Sequence, residues 1–177
     1  MALMMTKASA TSLSGFDSMK NRGLVKVTRS EEETRKIGRA IGKSLLPGDI
    51  ICLIGELGSG KTTITQGIAQ GLGVQGPVSS ASFKLINEYK GRIPAYHFDL
   101  FRLDKLSEVE ELGYREYFYN QGVTIIEWAE KIRSLWPEQR IEIELKIISE
   151  NNREIRITNL IGREINLNGN SGNRNIN

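Results

Sequence analysis

One cysteine, one histidine and four prolines are spread over 177 residues. A single cysteine excludes an intramolecular disulfide and any cysteine-rich zinc site. A single histidine excludes a multi-histidine metal centre. No uninterrupted apolar run approaches the ~20 residues that cross a bilayer. Charge of one sign is also scarce. Lys plus Arg total 24 and Asp plus Glu 21, a net charge of +3, which is too small a surplus to indicate a nucleic-acid binder. What is present is a hydrophobic fraction of 39%, enough for a core and against wholesale disorder. At this length the chain reads as one domain with loose ends, since two separate cores would each be marginal.

The loose ends are visible in composition. Residues 1–22 are rich in Ser, Thr, Met and Ala and have no period, which reads as a disordered leader. No basic run precedes the short apolar opening, so a secretory signal is not indicated. The expected location is cytoplasmic. A Ser-rich organellar transit peptide is the alternative, and Asp17 argues against it. Residues 166–177 are Asn- and Gly-rich and are expected not to pack. The folded unit is therefore placed at residues 23–165.

Within it, Leu24–Thr28 has strand character. Ser30 followed by three glutamates predicts a helix start, with Ser30 and Glu33 as a capping box and the acids at the positive end of the dipole. Ile37, Ala40, Ile41 and Leu45 fall on one face of that helix. The apolar run Ile50–Ile54 predicts a buried parallel strand, with Cys52 packed as a small hydrophobe. A glycine-rich turn and a helix over Lys61–Leu72 follow. Lys84–Tyr89 and Ile93–Leu100 read as a hairpin, where Pro94 places its strand near an edge or marks its first residue. A short helix is expected over Ser107–Leu112, capped by Ser107 and Glu110. Val123–Ile126 is a second buried strand, running through Glu127 and Trp128 into a helix reaching Ile132. Ile141–Ile147 and Glu154–Thr158 alternate as an antiparallel hairpin with one wet face. The fold class is α/β: a P-loop NTPase-like central sheet with parallel core strands, antiparallel additions and flanking helices.

Gly55, Glu56, Leu57, Gly58, Ser59, Gly60, Lys61 and Thr62 fit the pattern G-x-x-x-x-G-K-[ST]. Glycines let the backbone approach closely, so that successive N–H groups converge on phosphate oxygens. Lys61 reaches the β and γ phosphates, and Thr62 offers a hydroxyl to Mg²⁺. The following helix aims its positive end at the same anion. A glycine-rich strand-to-helix turn with an incidental lysine is the plain alternative, but the apolar strand before and the helix after are the context a phosphate loop needs. Residues 56–63, through Thr63, are the predicted nucleotide-binding stretch.

Phosphoryl transfer also needs a metal-side carboxylate and a group that positions water. Asp99 and Glu127 both stand at strand ends. With Lys61 they are the predicted catalytic set, and with Thr62 the predicted Mg²⁺ ligands. His97 is expected as a hydrogen-bonded core residue, facing the same way as neither Phe98 nor Asp99. Arg102 is either a surface ion-pair partner or an anion clamp.

These blocks together resemble the TsaE (YjeE) family of small P-loop ATPases. The stretch Leu46–Asp49 with Gly55–Thr63 is similar to its lead-in strand and phosphate loop. Val78–Phe83 followed by Asn87, Glu88 and Tyr89 resembles its V-x-S-P-T-F segment and N-E-Y. His97–Leu103 resembles H-x-D-x-Y-R-L, and Glu127–Lys131 resembles E-W-A-E-K. The resemblance covers about residues 28–145. It implies ATP and Mg²⁺ as cofactors and a role in making N6-threonylcarbamoyladenosine in tRNA. It further implies TsaD and TsaB-like partners, with tRNA reached through the complex rather than directly. By motif, Lys61 and Thr62 would hold ATP and Mg²⁺, Asp99 would be the metal-side carboxylate, and Glu127 would position water beside Trp128. Two positions depart from the pattern: Ala81 and Ser82 stand for Pro-Thr, and Phe101 stands for Tyr.

The competing readings are a small-molecule or nucleoside kinase and a GTP-dependent switch. A kinase would need an arginine-bearing lid, and no arginine-rich segment stands out. The guanine-reading N-K-x-D is absent, since Asn87 precedes Glu88. Residues 1–45 carry nine Lys/Arg against four Asp/Glu, and residues 104–127 two against six, a sidedness suited to docking with other proteins.

Overall fold

The computed structural model describes residues 23–79 and 85–167. The expected leader, the Ser80–Lys84 segment with Ala81, Ser82 and Phe83, and the end of the expected tail lie outside the described residues. Among the described residues the elements run, in chain order, β1 (Leu24–Thr28), α1 (Glu31–Ser44), β2 (Ile50–Ile54), α2 (Lys61–Gly71), β3 (Ile86–Tyr89), β4 (Ala95–Asp99), α3 (Leu106–Glu111), α4 (Tyr114–Phe118), β5 (Val123–Glu127), β6 (Ile141–Ile147) and β7 (Arg153–Asn159). A 3₁₀ segment over Ala129–Leu135 follows β5.

The strands form one sheet in the order β1-β7-β6-β2-β5-β4-β3. Strands β6, β2, β5 and β4 are mutually parallel. The outer strands β1, β7 and β3 are antiparallel to their neighbours. This is the α/β sheet with antiparallel additions that the hydrophobic pattern predicts. The continuous apolar run of β2 lies mid-sheet and is buried on both faces. In β6, Ile141, Ile143 and Leu145 are buried while Glu142 and Glu144 stay partly wet.

Two cores form, one on each face. Ile51, Leu53, Ile125 and Ile143 pack against Ile41 of α1 and Ile64 and Ile68 of α2. Ile50, Cys52, Phe98 and Ile126 pack against Val109 of α3, Phe118 of α4 and Ile132. Burial pushes the Cys52 thiol up to about 12, so it stays protonated as a hydrophobe. Helices α1 and α2 touch backbone to backbone. A Cβ on Gly42 would lie 2.2 Å from the Ile68 carbonyl oxygen, and one on Gly67 would lie 2.2 Å from that of Arg35. Arg92, between β3 and β4, donates to the carbonyls of Gly42 and Gly71 at 3.1 and 3.5 Å. One guanidinium thereby serves the carboxyl ends of both helices.

Several local expectations shift. Ser30 caps α1 through the Glu33 N–H at 3.2 Å, but the Glu33 carboxylate accepts from Arg29 N, one residue before the N-cap. Helix α3 starts one residue before the expected Ser107. Its box is made by Glu108, which accepts from the N–H groups of Asp104 and Lys105, so Ser107 and Glu110 are not its cap. Pro94 immediately precedes β4 rather than opening it, and β4 lies next to the edge strand β3, near an edge as expected. Glu127 does not continue straight into an α-helix. Trp128 takes φ +60° and a broken 3₁₀ turn follows.

Packing continues to residue 167, two beyond the expected boundary. Ile165 and Leu167 lie on the α1–α2 core, and the Asn166 N–H donates to Ser44 Oγ at 3.2 Å. Arg163 ties this segment to the Ser44 carbonyl and to Asp49. Among the described residues no helix is long and apolar enough to cross a membrane.

Candidate functional site

Parallel strands end together, so whatever follows each strand gathers at one edge of the sheet. Here that edge collects the loop after β2, Asp99 at the end of β4 and Glu127 at the end of β5. Asp99 is paired in register with Glu127, and Glu127 with Leu53.

The loop from Gly55 to Gly60 is shaped by left-handed glycines. Gly55 has φ +148°, and a Cβ there would meet the Leu145 carbonyl oxygen at 2.5 Å. Gly60, at φ +102°, is the N-cap of α2 and has no side-chain cap bond. No acid lies in the first turn of α2, in contrast to the three glutamates of α1. Among the described residues the leading N–H groups of α2 have no side-chain acceptor, and the dipole there favours an anion.

Lys61 is buried, and its Nζ donates to the carbonyls of Gly55 and Glu56 at 2.6 and 2.8 Å. The ammonium also lies 3.6 Å from the Trp128 ring centroid, a cation–π contact. Burial lowers the Lys61 pKa, and the carboxylates of Glu127, Glu130, Asp99 and Glu56 oppose that shift. The left-handed turn at Trp128 is what swings its indole over the lysine. Phe101 lies beside it, with ring centroids 5.1 Å apart.

Glu127 is almost fully buried and hydrogen-bonded on both oxygens. Oε2 accepts from Thr62 Oγ1 at 2.9 Å. Oε1 lies 2.9 Å from Thr65 Oγ1 and 2.9 Å from His97 Nε2. Asp99 is buried, and its Oδ1 accepts from the Phe101 N–H at 3.1 Å. A cleft of about 290 Å³ opens over these groups, and Leu57, Lys61, Thr62, Asp99, Glu127 and Trp128 are among its walls.

The structure therefore brings Lys61, Thr62, Asp99 and Glu127 to one cleft. Gly58, Gly60 and Thr63 line it too. Leu57 is 72% exposed at the loop tip, whereas Ser59 is fully buried. Arg102 is exposed on the turn after β4. His97 is a buried, hydrogen-bonded residue as expected, but its facing is corrected. With side chains alternating along β4, it shares a face with Ala95 and Asp99, while Tyr96 and Phe98 enter the opposite core. Sequence reasoning missed Thr65. Its spacing of three from Thr62 on α2 was the available signal, because residues i and i+3 share a helix face. It also missed Arg153, whose Nη2 donates to the Gly58 carbonyl at 3.2 Å from across the sheet. No local pattern announces that contact.

Among the described residues no group of three His, Cys, Asp or Glu could hold a metal alone. A hard cation that shares phosphate oxygens needs only one or two carboxylates and keeps waters. The Thr62 hydroxyl with the carboxylates of Asp99 and Glu127 is an all-oxygen donor set that fits Mg²⁺ on those terms.

An apolar central strand, a glycine loop with its lysine, and a helix with an uncapped start define a phosphate-loop protein of the α/β class. The model of the family described as "Threonylcarbamoyl adenosine biosynthesis protein TsaE" matches residues 28–155. The chain belongs to the TsaE family. It is 42% identical over 132 residues to the tRNA threonylcarbamoyladenosine biosynthesis protein TsaE of Bacillus subtilis, covering 74% of this chain and 82% of that protein. It is 38% identical to TsaE of Treponema pallidum, covering 74% and 97%. The crystal structure of YdiB from Bacillus subtilis superimposes with a TM-score of 0.69 at 38% identity, covering 79% of this chain and 87% of that one.

Proposed function

We propose that this chain binds and hydrolyses ATP as the P-loop subunit of the machinery that forms N6-threonylcarbamoyladenosine in tRNA. It works there with TsaD and TsaB-like proteins and reaches tRNA through them. Family membership supports the pathway. The observation that carries the chemistry is the direct bond between Glu127 at the end of β5 and Thr62 of the phosphate loop, with Asp99 in register beside it.

In this reading the loop N–H groups of residues 56–63 and the Lys61 ammonium bind the phosphate chain. Lys61 must leave the carbonyls of Gly55 and Glu56 to do so. Thr62, Asp99 and Glu127 would hold Mg²⁺, which supplies charge neutralisation on the phosphates. Glu127 positions the attacking water and accepts its proton. Trp128 and Phe101 cover the lysine side of the cleft and limit bulk water there.

The chain alone is a slow ATPase, and its partners change the rate. A group missing from the cage around the γ-phosphate costs about 10³–10⁵ in rate. A docked partner that supplies such a group would raise the rate.

The test is ATP hydrolysis by the pure chain, alone and with purified TsaB–TsaD, alongside partner affinity in ATP and in ADP. Slow turnover that partners alter supports the reading. Flat rates with equal affinities would refute partner gating. A folded Lys61→Ala variant should lose tight Mg-ATP binding, and unchanged affinity would refute the phosphate-loop assignment.

A further inference from the structure

The two oxygens of Glu127 are held differently. Among the described residues Oε2 has one donor, the Thr62 hydroxyl, which lies in the cleft wall. Oε1 points away from it, toward Thr65 and His97, both 0% exposed. Thr65 has a single hydroxyl proton and a second acceptor, the Lys61 carbonyl, also at 2.9 Å. It donates to only one of them at a time. His97 has no such division of labour. Its Nδ1 has no hydrogen-bond partner among the described residues.

An ionised carboxylate only accepts, so the hydrogen-bond pattern places the imidazole hydrogen on Nε2. The other tautomer would leave a buried Nδ1–H without an acceptor, which is rarer than an unfilled lone pair. The strand that carries the ring is paired on both sides. Strand β4 pairs His97 with Asn87 on one side and Ile125 on the other. The Tyr89 ring stacks on it, with centroids 6.4 Å apart and planes 26° apart. His97 is thus a buried donor directed at Oε1.

We infer that His97 is the positioning residue for Glu127. By holding Oε1 on the core side, it turns Oε2 into the cleft and keeps it there when a nucleotide engages the Thr62 hydroxyl. The inference rests on Glu127 acting on water. Displacing a reacting group by about 1 Å can cost roughly 10²-fold in rate. Losing the His97 donor should therefore lower kcat about 10- to 100-fold and leave KM and nucleotide affinity within about threefold.

The experiment uses the full chain with its partner complex and measures steady-state ATP hydrolysis, ADP affinity and urea unfolding. Four variants are compared: His97→Leu, His97→Gln, Glu127→Gln and the double variant His97→Leu/Glu127→Gln. Leucine removes the donor. Glutamine places an amide N–H near the former Nε2 and should recover most of kcat. In the Glu127→Gln background, His97→Leu should cause no further loss of kcat, because the group it positions is already gone. Its effect on stability should persist in both backgrounds. Equal loss of kcat in both backgrounds would make His97 merely structural and overturn the inference. So would failure of glutamine to recover more than leucine. If Glu127→Gln lowers kcat while folded His97→Leu does not, the inference fails alone. If Glu127→Gln leaves kcat unchanged, the reading of Glu127 itself fails. Should His97→Leu not fold, His97→Asn takes its place, since its amide reaches the Nδ1 position and not Nε2, and it must fall below His97→Gln in kcat.

Discussion

Gly67→Ala tests whether helix α2 is seated by backbone contact. The new methyl carbon would lie 2.2 Å from the Arg35 carbonyl oxygen and 3.0 Å from Arg39 N. Both atoms belong to the α1 backbone and cannot rotate away, so the helices must part by roughly 1 Å to restore ordinary contact. A gap of that size forfeits about a quarter to a half of each affected dispersion contact. Those contacts include Ile41, Ile64 and Ile68, all 0% exposed. Overpacking of this kind costs about 1–3 kcal/mol, and the unyielding neighbour puts this site at the top of that range. Alanine offsets about 1 kcal/mol through better helix propensity. The expected net loss is about 2 kcal/mol, or a fall in Tm of roughly 4–8 °C for a domain this size. Urea unfolding followed by circular dichroism measures it. Lys36→Ala, at an exposed position of α1, serves as a control and should stay within about 0.5 kcal/mol. A Gly67→Ala protein as stable as the wild type, or more so, would show that the helices are not held at this separation. Lys61, Thr62 and Thr65 ride on α2, so a confirmed loss should be accompanied by weaker nucleotide binding in the folded fraction.

Two further outcomes follow from the cleft. Asp99→Asn should weaken Mg²⁺-dependent nucleotide binding about tenfold or more while metal-free binding changes little. Titration calorimetry with and without Mg²⁺ reads this, and an equal loss in both conditions would remove Asp99 from the metal side. The Lys61 ammonium is the form that binds phosphate, and burial holds its pKa below the ordinary 10.5. Nucleotide affinity should therefore fall as pH rises through a midpoint under 10.5, and that midpoint should move up in Lys61→Arg. Affinity that stays flat to pH 10.5 would contradict the assignment of charge.

The class and the binding loop were legible because they rest on local order. An apolar run, a glycine loop with Lys61 and Thr62, and a helix are contiguous, and their spacing carries the chemistry. The alternation of residues 141–147 and 154–158 likewise told one sheet face from the other. Asp99 and Glu127 could be named as strand-end acids, but not as partners. Only parallel pairing of β4 with β5, and of β5 with β2, sets two acids 28 positions apart in register beside the phosphate loop. Non-local contacts remained hidden for the same reason. Thr65 shares a helix face with Thr62, but nothing in the sequence reveals that it meets His97 at Oε1 of Glu127, and nothing near Arg153 points to Gly58. The left-handed turn at Trp128 has no sequence signal, because that backbone is unfavourable for a non-glycine residue by about 1–2 kcal/mol. Tertiary contact with Lys61 and Phe101 accompanies that cost. Sequence by itself thus determined the strands, helices α1 and α2 and the phosphate loop, which depend on neighbours along the chain. The tertiary structure decided which oxygen of Glu127 faces the cleft, because that depends on donors brought from α2 and β4.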